Sequence, residues 1–402
     1  RTQLKRLNTF LENQLNKLWY NQSSGLLLAR KLSKAMLKKE VRVKDLLQFN
    51  DKVSLSKAHL QKLPDYYKQL FLRKQFYPKE FWVGRETEFA SANQSFMHIR
   101  NGYKGGILVT GERNSGKSFF INQLINRVPV NGDVYHISAP YTGSTSPSDL
   151  LSALQSATEK TGTYAAILNK LPNESILVFD DLELWWEKSP KGMRVIDQLI
   201  KLIEEYSSKH IFLFACDINA FKLINHYRKI ESHFINLIEL SPMNAKEIKE
   251  AILKRHQTSG MQFHYKNASE TALHSWKKAK LFSSYFNYSE GNIGVALSAW
   301  IVHIDRVENT MLYIRKPEQP NVAIFNYLET DWMIFIMQFI LHKRMNLNKL
   351  IRITRETETK AQQKINILKR AGIVVQLADG ILELNPYILP FLQKALIKRQ
   401  LF

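Results

Sequence analysis

Gly106-Ile107-Leu108-Val109-Thr110-Gly111-Glu112-Arg113-Asn114-Ser115-Gly116-Lys117-Ser118-Phe119-Phe120-Ile121 reads as an apolar strand, a glycine-bounded loop and the start of a helix. From Gly111 to Ser118 the spacing is G-x4-G-K-[ST], that of a phosphate-binding loop. Its two glycines let the backbone curl until successive N–H groups point inward, as an anion nest at the positive end of a helix. Lys117 can then reach the β- and γ-phosphates of a nucleotide, and the Ser118 hydroxyl suits a Mg²⁺ ion that keeps most of its water. Gly111, Asn114, Ser115, Gly116, Lys117 and Ser118 are therefore the candidate phosphate contacts.

Outward from this loop, further strands are expected at Asp133–Ser138, Ser175–Phe179, Ile211–Cys216 and Phe234–Leu240. They are short, rich in Ile, Val, Leu and Phe without alternation, and separated by helical stretches, as in a parallel sheet covered on both faces. The fold class is α/β, with a five-stranded parallel sheet. The third strand ends in Asp180-Asp181. An acid at that tip can hold the Mg²⁺ that Ser118 touches, which suits Asp180, while Asp181 would face the γ-phosphate and orient or deprotonate a water. Either carboxylate also suits a helix N-cap.

Beyond the sheet, helices are expected at Ala245–His256, Ser269–Lys280 and Asn292–Val307. A third unit begins near Tyr327, with helices at Trp332–Leu341, Leu347–Ile353 and Glu356–Ala371. It ends in two apolar runs around Ala378-Asp379-Gly380, a hairpin signal, so that three helices and a hairpin make a winged helix. Ahead of the sheet, residues 1–80 read as a basic helical segment, with leucines spaced by three or four at Leu4–Leu18 and a basic amphipathic stretch at Leu26–Leu37. The expected division is thus 1–80, 81–241, 242–326 and 327–402.

This order of parts resembles an AAA+ ATPase, and within that superfamily the branch of origin-recognition initiators, archaeal ATPases and STAND signalling switches. The resemblance covers roughly residues 81–385. It rests on the loop, the acid pair, the helical lid, the winged helix and Val83-Gly84-Arg85-Glu86, which is similar to that branch's adenine-side motif. It implies ATP and Mg²⁺ as ligands, with Val83, Gly84 and Arg85 on the nucleotide's base side. It also implies a polar sensor near Asn219, with Asp217 as competitor, and an arginine finger near Arg228 that enters a neighbouring subunit's site. Two departures point away from fast turnover. Ile293-Gly294-Val295 stands where many members carry a lid arginine, and Asp181 is one methylene shorter than the usual glutamate.

The net charge of +21 divides unevenly. Residues 1–80 carry 18 Lys and Arg against 6 Asp and Glu, residues 341–402 carry 12 against 4, and the middle is nearly neutral. The flanks are therefore the segments suited to anionic partners: DNA through the winged helix, with Lys360, Gln363, Lys364 and Arg370 off its apolar face, or anionic lipid or protein through residues 1–80. The expected function is a slowly hydrolysing, ATP-binding switch acting on DNA or a nucleoprotein complex, with an ATP-dependent homo-oligomer. A signalling or scaffold ATPase at a membrane or protein partner is the alternative. The single cysteine, Cys216, excludes an internal disulfide and fits a reducing, cytoplasmic setting. The chain opens at Arg1 without a signal-peptide pattern, so neighbouring segments are expected outside it, which in the alternative reading would carry a membrane tether.

Overall fold

The structure is a computed structural model that describes residues 44–55, 57–72, 78–129 and 131–401. The helices expected at Leu4–Leu18 and Leu26–Leu37, and most of the basic charge of the first flank, lie outside the described residues.

Five parallel strands form the central sheet: β1 (Gly106–Gly111), β2 (Val134–His136), β3 (Ile176–Phe179), β4 (Ile211–Asp217) and β5 (Phe234–Glu239), in the order β2-β3-β4-β1-β5. The even mix of apolar residues along β1 follows from burial on both faces. Ile107 and Val109 face the layer built by the helices Glu86–Arg100 and Lys117–Arg127. Leu108 faces the opposite layer, where Phe179, Phe212 and Phe214 meet the helices Pro147–Thr158, Arg194–Tyr206 and Ile218–Arg228. Each strand lies within two residues of its expected bounds.

The next region departs from expectation. The helix expected at Asn292–Val307 stops at Val302, and Ile304–Glu308 (β8) and Met311–Ile314 (β9) form an antiparallel hairpin around Asn309, whose φ is 51°. The helix expected at Ser269–Lys280 instead runs Ser275–Ser289, because Gln262–Tyr265 (β6) and Ala268–Ser269 (β7) pair around Lys266 and Asn267, both with positive φ. With strand order β7-β6-β9-β8 these make a small second sheet against the helices Ala245–Thr258, Ser275–Ser289 and Ile293–Val302. Strands of two to five residues are too short to show a period.

The C-terminal unit has helices Thr330–His342, Leu347–Thr354 and Glu358–Arg370, followed by a hairpin of Val374–Gln376 (β11) and Leu382–Leu384 (β12). A two-residue strand, Arg344–Met345 (β10), adds to β12, and the helix Leu389–Lys398 closes the unit. This is the winged-helix order of elements, with one extra helix. Its core is continuous with that of the lid. The helices over 44–53 and Asp65–Leu72 insert into the same core. Buried Tyr67 fixes that insertion, since its hydroxyl lies 3.0 Å from His256 Nδ1 and accepts a 2.7 Å hydrogen bond from Trp300 Nε1. Replacing Tyr67 with Phe leaves two buried ring nitrogens without that partner, and should lower unfolding stability by about 2 kcal/mol in denaturant titrations. A change below about 0.5 kcal/mol would show that the network is not structural.

Candidate nucleotide site

The loop Gly111–Ser118 leaves the carboxyl end of β1, between β4 and β5, where strands β4 and β3 bring up their own ends. Gly111 and Gly116 have φ of 156° and 94°. A side chain at Gly111 would come within 2.7 Å of Ser115 Oγ, so the loop's curl needs glycine there. Lys117 Nζ donates to the carbonyls of Gly111 and Glu112, both at 2.9 Å, which folds its ammonium back over the loop. Ser118 Oγ donates 2.6 Å to Asp180 Oδ2, reaching across β4 to the tip of β3.

The loop floors a cavity of about 290 Å³. Asn114, Ser115, Lys117 and Ser118 line one end together with Asp181, Glu183 and Lys343. The other end is apolar and comes from distant parts of the chain, including Leu70, Phe71, Val83, Met243 and Leu297. Among the described residues, Ser115 Oγ and Arg113 Nη1 of the cavity lining are buried without hydrogen-bond partners, as donors awaiting an anionic ligand would be, and so is Asn219 Nδ2 outside the lining.

Val83-Gly84-Arg85 is held at the apolar end by its neighbours. Trp82 stacks on Phe119 and Phe120 of the loop's helix, with centroids 6.0 and 5.9 Å away. Gly84 has φ 63°, and a side chain there would meet Glu247 Oε1 at 2.3 Å. Arg85 lines the cavity but spends its Nη1 on Glu88 Oε1, at 2.9 Å, and the carbonyl of Ser241. It thereby ties this box to the exit of β5. Burial raises the Glu88 carboxyl, but its bonds to Arg85, its own backbone N–H and Thr87, with the charge of Arg85, together outweigh that and hold it below the usual range.

At the tip of β3 the two acids separate. Asp180 is pushed up by burial and by the charge of Asp181, with Ser118, Lys343 and Lys117 opposing. Asp181 has φ 58°, makes no side-chain cap bond to the following turn, and pairs with Lys343. Burial raises it too, but the ammonium of Lys343, with help from Arg344 and Arg113, holds it below the usual carboxylate range. Glu183, two residues on, also lines the cavity and accepts 3.2 Å from the Asp217 N–H. Burial and the charge of Asp181 push it up to about 7.

The remaining candidates lie apart from the loop's immediate shell. Asp217 Oδ1 caps the helix Ile218–Arg228 by accepting 2.9 Å from the Asn219 N–H, while among the described residues the Asn219 Nδ2 has no hydrogen-bond partner. Asn219 is buried and is not among the described residues lining the cavity. Arg228 is about 42% exposed at the far end of that helix, where its Nε meets Asp197 Oδ1 at 2.7 Å. Cys216 is buried, as expected of a small apolar side chain. Trp185 and Trp186 are fully buried in the core beside β3 and do not line the cavity.

Sequence reading missed Lys343, Glu183 and Arg255. Arg255 comes from the helix Ala245–Thr258, sits 4.7 Å over the Phe81 ring and is pulled down to about 10 by burial. Lys343 lies 162 residues from Asp181 and belongs to no local pattern. Glu183 carried a signal, as a third acid in Asp180-Asp181-Leu182-Glu183, which the acid pair overshadowed. The lid motif without its arginine acts by contact instead: Gly294 N–H donates 3.0 Å to the Asn114 carbonyl, and a side chain at Gly294 would stand 2.6 Å from Asn114 Cβ.

A parallel sheet whose first strand runs through a glycine-bounded loop into a helix defines a P-loop domain of the nucleotide-binding class. Residues 107–238 match the family model "ATPase family associated with various cellular activities (AAA)", so this chain contains an AAA ATPase domain. Among solved structures, the ORC2 protein of Aeropyrum pernix, as ADPNP-ADP complexes, is similar over 83% of this chain and 99% of its own, at 12% identity and a TM-score of 0.51. The Walker-type ATPase paby2304 of Pyrococcus abyssi covers 81% of this chain and 99% of its own, at 14% identity and a TM-score of 0.43. The ORC1 protein of Aeropyrum pernix in complex with DNA covers 83% and 98%, at 13% and 0.43. No curated protein sequence matches the chain.

A buried carboxyl pushed up to about 7 favours the fold while it is protonated. Its contribution is fully present below the ordinary glutamate range and is lost as pH rises through about 7. Glu183→Gln should therefore gain thermal stability relative to the unaltered protein between pH 5 and pH 8. A difference in Tm that does not change with pH would show that Glu183 is ordinary.

Proposed function

We propose that the chain binds ATP with Mg²⁺, hydrolyses it slowly, and uses the bound state to bias the position of its lid and C-terminal unit. The observation that carries this reading is the 2.6 Å contact of Ser118 Oγ with Asp180, directly behind the Gly111–Ser118 loop. A hydroxyl and a carboxylate, both hard oxygen donors, suit Mg²⁺, which takes few protein ligands and completes its shell with water and phosphate. When bound there, the ion would neutralise phosphate charge.

The chain's own groups divide the remaining work. Backbone N–H groups of 113–117 and the Lys117 ammonium hold the β- and γ-phosphates, while Val83, Gly84 and Arg85 close the base side. Asp181 orients a water whose oxygen bonds to the γ-phosphorus. The bridging P–O bond breaks with its electron pair going to ADP, and Asp181 takes the water's proton. A carboxylate held low and paired with a lysine is a weak base, which supports slow turnover. Asn219 is proposed as the polar sensor through its unpartnered amide, and Arg228 as a finger that would exchange Asp197 for a neighbour's phosphate in an ATP-dependent oligomer. Lys117→Ala should raise the Kd for ATP by at least about a hundredfold in fluorescence titrations. Asp181→Asn should cut phosphate release while leaving ATP binding in place, and retained turnover would remove Asp181 from the reaction.

For a partner, duplex DNA is favoured by the polar face of the helix Glu358–Arg370, whose exposed residues include Gln362, Gln363, Asn366, Lys369 and Arg370. Lys364 is withdrawn from that face. Its side chain is 5% exposed and pairs with Glu356 at 2.5 Å and Asp331 at 2.7 Å, so the expected contact through Lys364 is corrected. Lys360 lies within 4 Å of the same two acids but stays exposed. Among the described residues no helix is long and apolar enough to cross a membrane. If Lys369 and Arg370 each neutralise one phosphate, replacing both with Ala should flatten the log–log salt dependence of DNA binding by about 1.8. An unchanged slope would remove this helix from the interface.

A further inference from the structure

The C-terminal unit meets the sheet domain through three ionic contacts, two of them at the nucleotide site. Lys343 pairs with Asp181 and lines the cavity beside Lys117. Arg352 holds Glu187 with two bonds, of 2.9 and 2.7 Å, while Lys349 stands 3.9 Å from the same carboxylate and donates 3.0 Å to the Thr142 carbonyl. Arg113 of the phosphate loop reaches Glu383 of β12 at 4.0 Å. Two of these anchors land within seven residues of each other, on the segment that leaves β3.

We propose that Lys343 is an intramolecular latch: by pairing with Asp181 it holds the C-terminal unit against the nucleotide site and keeps that carboxylate from acting on water. This rests on the reading above, in which Asp181 orients the attacking water. Lys343 is presented rigidly, as the residue after the helix Thr330–His342, with φ 59° and ψ −61°. The two preceding residues are wedged into the AAA core, Leu341 in the layer beneath β3 and His342 with its ring 4.7 Å from that of Trp186. The lysine therefore cannot follow Asp181 unless the helix end moves with it.

The anchors differ in how easily they part. Glu187 and Lys349 are each 3% exposed, and separating buried charges is costly. Lys343 and Asp181 are each 24% exposed, so water reaches the pair and the contact is weak enough to reverse. A triphosphate entering the cavity would bring a second anion to Lys343, and differential attraction of that kind is what shifts a two-state equilibrium. Lys343 thus links the phosphate end of the site to the C-terminal unit.

The test uses the whole 402-residue chain. Lys343→Ala should raise kcat for phosphate release about fivefold, as loss of a part-exposed pair predicts. Lys343→Arg should restore the slow rate, and Arg352→Ala, which loosens the same interface outside the catalytic groups, should raise kcat as well. A fall in kcat for Lys343→Ala would make the lysine a participant in the reaction and overturn the latch, and an unchanged kcat would overturn it too. If the proteins bind ATP and release no phosphate, the hydrolytic reading fails by itself. Amide hydrogen exchange then decides the latch: faster exchange across 181–187 and 330–345 in Lys343→Ala supports it, and equal protection overturns it.

Discussion

The 2.6 Å bond from Ser118 to Asp180 depends on more of the molecule than any other contact in the site. The two residues follow strands that are not neighbours, because β4 lies between β1 and β3. The helix Lys117–Arg127 must begin at the top of β1, and β4 and β3 must end level with it, for a hydroxyl to reach the carboxylate. Parallel strands provide that level edge, since all five run their carboxyl ends to one side. Burial of both sheet faces keeps the register, and every other candidate residue is placed relative to that edge.

Charge at the edge is unevenly shared. Asp180, Asp181, Glu183 and Asp217 stand close enough to influence one another's neighbours, and the cations Lys117 and Lys343 offset them. Asp181 alone receives a directly bonded ammonium and is held low, while Glu183, buried and without such a partner, is pushed up. Like charges held close together raise one another, and the one that gains a bonded cation is the one held low. The cation comes from the C-terminal unit, which makes the protonation pattern a property of the whole chain.

The lid and the C-terminal unit read as separate stretches along the chain, yet they share one apolar core with the helices over 44–53 and Asp65–Leu72. That core joins them more firmly to each other than to the sheet. Their contacts with the sheet domain mix polar and apolar groups: Gly294 on Asn114, Lys343 on Asp181, Arg352 and Lys349 on Glu187, with Leu341 packed into the layer beneath β3 and His342 against Trp186.

The strands, the phosphate loop and Asp180-Asp181 were legible from sequence because each is local: a run of apolar residues, a glycine spacing, acids at a strand end. The winged-helix order was legible for the same reason, through three helical periods and an Asp-Gly turn. The second sheet was not, since its strands are too short to carry a period and take their shape from turns at Lys266-Asn267 and Asn309. Lys364 looked like a surface cation by helical spacing, but Asp331, a partner 33 residues away, helps to draw it inward. The sequence by itself therefore determined the class of fold and the residues able to cradle phosphate, because backbone curl and strand burial depend on neighbours in the chain. Only the tertiary structure decided which carboxylate is held low and which cation faces it, because electrostatic interactions act through space and Lys343 meets Asp181 only when the C-terminal unit docks.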